Sequence, residues 1–143
     1  RSIVSPATGL RRGGYVLWEA SAKPEVLLIA TGSEVNIALD AGQSLMRDGI
    51  PSRIVSLPSW ELFEAQDTHY RERIIPPTLK ARISIEAAAT IGWERYIGLD
   101  GKAIGLQTYG TSAPGNIIYE QLGLTVQRIT EEAKILLKNN TER

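Results

Sequence analysis

Three groups of residues have types and spacing that could do chemistry. Thr31-Gly32-Ser33 follows an unbroken apolar run, Val26-Leu27-Leu28-Ile29-Ala30, and precedes an amphipathic stretch. Free backbone N–H groups and the positive end of a helix dipole at such a turn suit an anion. With one glycine it is neither the Gly-x-Gly-x-x-Gly dinucleotide fingerprint nor a phosphate loop ending in Gly-Lys-Ser/Thr. The structural reading, a turn in which Ser33 caps its own helix, is the one we favour. Glu86 closes the apolar run Ala81–Ile85. A carboxylate at the carboxyl edge of a parallel sheet could act as a base or hold a ribose. In the structural reading it accepts N–H bonds from the next turn and stays ionised. Thr31, Gly32, Ser33 and Glu86 together make a candidate anion-binding or regulatory site.

The other two groups are weaker. Gly110-Thr111-Ser112 begins like a nucleophile elbow, but Pro114 stands where the closing glycine belongs. A serine nucleophile also needs a base, and the single histidine, His69, lies between Thr68 and Tyr70 in a polar stretch. Thr111 and Ser112 therefore read as residues that satisfy backbone groups at a turn. Trp60, Phe63 and Tyr109 lie at element ends, where aromatics commonly anchor interfaces. Arg71-Glu72-Arg73 reads as a solvated face of mixed charge.

The elements that must position these residues are legible as a pattern. Residues 1–12 mix Ser, Pro, Gly and Arg without periodicity and read as a linker or arm, with one α/β domain over residues 13–143. Tyr15–Glu19 reads as an edge strand. Val26–Ala30, apolar throughout, reads as a strand covered on both faces, the mark of a parallel sheet. From Ser33 the period changes: Val35, Ala38, Leu39, Gly42, Leu45 and Met46 share one helix face, which Gly49 closes. Arg53–Leu57 is the next strand. Two short helices follow, over residues 61–66 and 68–75, then a strand over residues 81–86. Trp93 and Tyr96 share one helical turn. Residues 103–106 form a further strand, and Pro114 opens a helix. Thr125 caps a last helix whose apolar face is Val126, Ile129, Ala133, Leu136 and Leu137, with a tail from Asn139 expected to fray. The expectation is a three-layer α/β/α domain on a mostly parallel, mixed sheet of about five strands.

Composition narrows the function classes. The 143 residues carry sixteen basic and sixteen acidic side chains, a net charge of zero that argues against nucleic acid as a partner. No apolar run approaches the ~20 residues of a membrane span. There is no cysteine, which excludes disulfides, thiolate catalysis and a cysteine zinc site. The only methionine is Met46, so a chain opening on Arg1 is expected to be a fragment or processed product.

The ordered segments resemble the C-terminal domain of transketolase. The residues that carry the likeness are Gly13-Gly14-Tyr15-Val16-Leu17, Leu28–Val35 with its Thr-Gly-Ser-Glu turn, Ser56-Leu57-Pro58-Ser59-Trp60-Glu61-Leu62-Phe63, Gln66-Asp67, Tyr70-Arg71, Gly92-Trp93, Tyr96, Gly98, Tyr109-Gly110, Ser112-Ala113-Pro114 and Leu122-Gly123. Ala88 departs from the family, which usually has glycine there. The Ser-Leu-Pro-Ser-Trp run separates the chain from 2-oxo-acid dehydrogenase β subunits and deoxyxylulose-phosphate synthase. The resemblance implies a parent transferase that moves a two-carbon ketol unit between sugar phosphates, in the pentose phosphate pathway or Calvin cycle. It also implies thiamine diphosphate with Mg2+ or Ca2+ in the parent, and none of these bound by this segment. A cytoplasmic or plastid location, preceding domains of the same polypeptide and a homodimer follow from the same likeness. No catalytic, cofactor or metal-binding residue of the family maps onto this segment. The implied role is packing and dimer assembly; the alternative is a regulatory anion or nucleotide module of the same enzyme or of a relative such as dihydroxyacetone synthase.

Overall fold

The sheet is organised around one strand buried on both faces. A computed structural model describes residues 3–4, 11–32, 34–89, 92–106 and 124–141. In chain order the elements are β1 (Ile3–Val4), β2 (Tyr15–Glu19), β3 (Val26–Ala30), α1 (Glu34–Arg47), β4 (Ser52–Ser56), α2 (Trp60–Glu64), α3 (Thr68–Ile74), β5 (Arg82–Ala89), α4 (Glu94–Ile97), β6 (Lys102–Leu106) and α5 (Val126–Thr141). The sheet has six strands in the order β1-β2-β4-β3-β5-β6. The run β4-β3-β5-β6 is parallel, while β2 and β1 add antiparallel strands at one side.

Alternation along the strands sorts the core into two layers. Val26, Leu28 and Ala30 of β3 join Ile54, Ile83 and Ile85 on the face covered by α1 and α5. Leu27 and Ile29 join Val55, Phe63, Tyr70, Trp93 and Tyr96 on the face covered by α2, α3 and α4. All five residues of β3 are buried. The expected face of the last helix is confirmed, with Ile129 and Ala133 buried and Val126, Leu136 and Leu137 packed on the same cluster.

Short-range chemistry fixes the helix ends. Ser59 Oγ accepts the Leu62 N–H at 3.2 Å, Asp67 Oδ1 the Tyr70 N–H at 2.7 Å, and Thr125 Oγ1 the Arg128 N–H at 3.1 Å. At the end of α1 the N–H groups of Gly49 and Ile50 donate to the Met46 and Leu45 carbonyls at 3.0 and 2.9 Å, the paired bonds of a Schellman turn. Gly13 is needed for two reasons. Its φ is +81°, and a Cβ there would lie 2.3 Å from the Ser59 carbonyl oxygen and 2.4 Å from the Phe63 nitrogen.

Three expectations change. Part of the arm is structured: Ile3–Val4 pairs with β2, so β2 lies inside the sheet rather than at its edge. A two-residue strand carries no period that a sequence could show. The strand holding Glu86 runs on through Ala89, so no turn follows that carboxylate directly. The last helix continues to Thr141 rather than fraying from Asn139. The helix read from Pro114 lies outside the described residues.

Candidate functional site

The register of the parallel sheet brings Thr31 and Glu86 together. Ala30 of β3 pairs with Ile85 of β5, so the next pair up is Thr31 and Glu86. In parallel strands such partners project from the same face. Thr31 Oγ1 donates to Glu86 Oε2 at 2.5 Å, across 55 residues of sequence. Two of the four candidate site residues therefore meet, as donor and acceptor to one another. Gly32 turns the chain with φ +56°. The Thr31 and Gly32 carbonyls accept the Glu34 and Val35 N–H groups at 3.2 and 3.4 Å, so the turn leads directly into α1. Ser33, together with Tyr109 and the Thr111–Pro114 segment, lies outside the described residues.

A residue the sequence reading passed over, Glu34, changes the electrostatics. It opens α1 and is only 5% exposed. Its Oε2 lies 3.8 Å from the place where a Cβ on Gly32 would stand. A carboxylate in the first turn of a helix is favoured by the dipole. The turn thus carries two carboxylates of its own, Glu34 and Glu86. The Glu-in-first-turn signal was present in the sequence as Gly32-Ser33-Glu34.

Below this edge, on the same face of the sheet, lies an aromatic layer. Trp60 meets Trp93 edge-on at 4.8 Å and Tyr96 at 5.2 Å, and Phe63 meets Tyr96 at 5.8 Å and Tyr70 at 6.3 Å. Such pairs add about 0.5–1.5 kcal/mol beyond burial. Phe63 is 1% exposed, so it is a core residue and not an interface anchor. Trp60 is half-buried, and the neighbouring Leu62 is 45% exposed. Each buried phenol is satisfied: Tyr70 donates to the Gly14 carbonyl at 2.8 Å and Tyr96 to Glu64 at 2.9 Å. Burial first, then the bond to Glu64, pushes the Tyr96 phenol up to about 12, against a smaller opposite pull from Arg95.

The expected solvated face at Arg71-Glu72-Arg73 is more engaged than its sequence suggests. Arg71 pairs with Glu64 at 3.4 Å and donates to the Gln66 carbonyl and the Thr68 hydroxyl. Arg73 stacks on the Tyr70 ring at 5.2 Å, and Arg12 covers the same ring at 4.7 Å. Two further arginines were missed. Arg53 pairs with Glu19 and donates to the Arg73 and Ile74 carbonyls. Arg82 donates to the carbonyls of Leu79, Tyr96 and Pro76 at 2.6, 2.8 and 2.8 Å. The alternation Arg82-Ile83-Ser84-Ile85-Glu86 is the signal that could have found it, since it places three polar residues on one strand face. His69 is exposed on α3.

Residues 13–125 match the family model of the transketolase-like TK C-terminal domain. The chain belongs to the transketolase family as its C-terminal domain. It is 47% identical over 131 residues to a chloroplastic transketolase of Craterostigma plantagineum, covering 90% of this chain and 25% of that relative. It is 42% identical over 131 residues to a transketolase of Halalkalibacterium halodurans, covering 92% of this chain and 20% of that relative. Among solved structures, transketolase from Leishmania mexicana superposes with a TM-score of 0.85 at 32% identity, over 95% of this chain and 19% of that one. A Pichia stipitis transketolase in complex with sedoheptulose-7-phosphate gives 0.86 at 28% identity, over 98% of this chain and 20% of that one. The chain therefore spans a quarter or less of the length of these relatives.

Proposed function

We propose that the chain works as the non-catalytic C-terminal domain of a longer ketol transferase, supporting its domain packing and homodimer assembly. The longer protein moves a two-carbon unit between sugar phosphates, in the cytoplasm or a plastid. The observation that carries this reading lies at the carboxyl edge: the Thr31 hydroxyl donates to Glu86, and the buried Glu34 opens α1 beside them. Functional groups in open α/β sheets gather at that edge, and here Thr31 and Glu86 are hydrogen-bonded to one another.

Thiamine diphosphate supplies the electron sink that lets a ketol carbon–carbon bond break. The described residues do not fit it. No three His, Asp or Glu side chains among them converge on a metal position, and the turn best placed for a diphosphate holds two carboxylates. Cofactor, metal and sugar phosphate are left to the preceding domains. No helix among the described residues is long and apolar enough to cross a membrane.

The test is to purify the longer protein with and without residues 13–143 and to measure mass by light scattering and ketol transfer by product formation. The truncated form is expected to lose the dimer and its activity, and adding the chain in trans should restore part of both. A truncated form that remains dimeric and fully active overturns the assembly role.

A further inference from the structure

A cleft of about 300 Å³ opens beside α3 and α4, on the face of the sheet away from α1 and α5. Its charged and polar lining is Arg71, Arg82, Arg95, Glu64, Glu72 and Tyr96. Three guanidiniums face two carboxylates, and one of those, Glu64, is already shared between Arg71 and the Tyr96 hydroxyl. Arg82 is the unusual member. Each of its three nitrogens donates to a neutral backbone carbonyl, and no carboxylate of the described residues forms an ion pair with it. Its plane is held by the Pro76–Leu79 turn on one side and the end of α4 on the other. A guanidinium has five N–H groups, so two remain after those three bonds. Its position is fixed before any ligand arrives, which removes ordering cost from binding. Burial lowers its pKa from the ordinary value, because desolvation disfavours the charged form. Arg95 is exposed at the mouth of the cleft and makes no ion pair among the described residues.

We propose that this cleft binds a small phosphate oxyanion, inorganic phosphate or a compact phosphomonoester, between Arg82 and Arg95, with Arg71 at its side. Planar guanidiniums match the paired oxygens of a phosphoryl group, and the volume accommodates that group with a few carbons attached. The site lies towards the amino end of β5, away from the Thr31–Glu86 edge, and it requires no ketol chemistry. Its failure would leave the family assignment untouched.

The experiment is calorimetric titration of the purified chain with inorganic phosphate at constant ionic strength, with acetate as a second titrant. The expected result is saturable phosphate binding in roughly the millimolar range. Arg95→Gln should weaken it about fivefold and Arg82→Lys about tenfold. Lys134→Gln, which removes a pair with Asp48 on the other face of the sheet, should leave it unchanged. Because Arg82 also ties backbone together, the exposed Arg95 variant and a folded-state check by circular dichroism keep the outcome readable. No saturable binding, equal binding by Arg95→Gln and the parent chain, or acetate binding as tightly as phosphate would each overturn the proposal.

Discussion

The two ends of one face of β5 solve opposite electrostatic problems in different ways. At the carboxyl end Glu86 meets a hydroxyl from the neighbouring strand, placed there by the parallel register. At the amino end, four residues earlier on the same face, Arg82 meets three carbonyls from a turn and a helix end. The first arrangement lies beside a helix N-terminus that tolerates its negative charge. The second holds a positive charge directly against three neutral dipoles. At the carboxyl edge, where α/β folds usually keep their chemistry, Thr31 and Glu86 pair with one another, and the cleft lies at the less expected end.

Breaking the amino end should cost most. Arg82→Met removes three donors and leaves three carbonyls competing for water, so unfolding stability should fall by about 3 kcal/mol, read from urea denaturation. Breaking the carboxyl end should cost less. Thr31→Val keeps the shape of the side chain and deletes one bond at a half-buried acceptor, for about 1 kcal/mol by the same measurement. Tyr96→Phe sharpens the comparison by removing a phenol next to the cleft without touching Arg82, with an expected loss of about 0.5 kcal/mol at neutral pH. It should also change the alkaline limb. The folded state holds the Tyr96 proton up to about 12 against an ordinary 10.0. The folded chain therefore binds more protons than the unfolded chain in that window. The contribution is complete below pH 10 and is lost as pH rises towards 12, and the phenylalanine variant should lack this loss in thermal melts taken across the window.

Much of the scaffold was legible because it rests on local chemistry. Val26–Ala30 reads as doubly buried because it has no polar position, Gly49 closes α1 through bonds spanning three and five residues, and Thr125 caps the last helix. Trp93 and Tyr96 share one turn and are both buried, as their spacing predicted. What escaped the sequence depends on long-range register. Nothing near Thr31 announces that its partner stands 55 residues later. Phe63 was read as an interface anchor because it lies at an element end, whereas its ring is buried in the cluster of Val55, Leu57 and Tyr70. Arg82 was passed over because its carbonyl partners come from turns whose geometry is not written in side-chain types. The pairing of Ile3–Val4 with β2 is equally invisible, since two residues show no alternation.

The central claim is that the domain assists ketol transfer without performing it. The direct measurement supplies the purified 143-residue chain with a ketose phosphate, an aldose phosphate, thiamine diphosphate and Mg2+, and follows product over time. The account predicts no product above the protein-free background. Sustained turnover by the chain alone would contradict it.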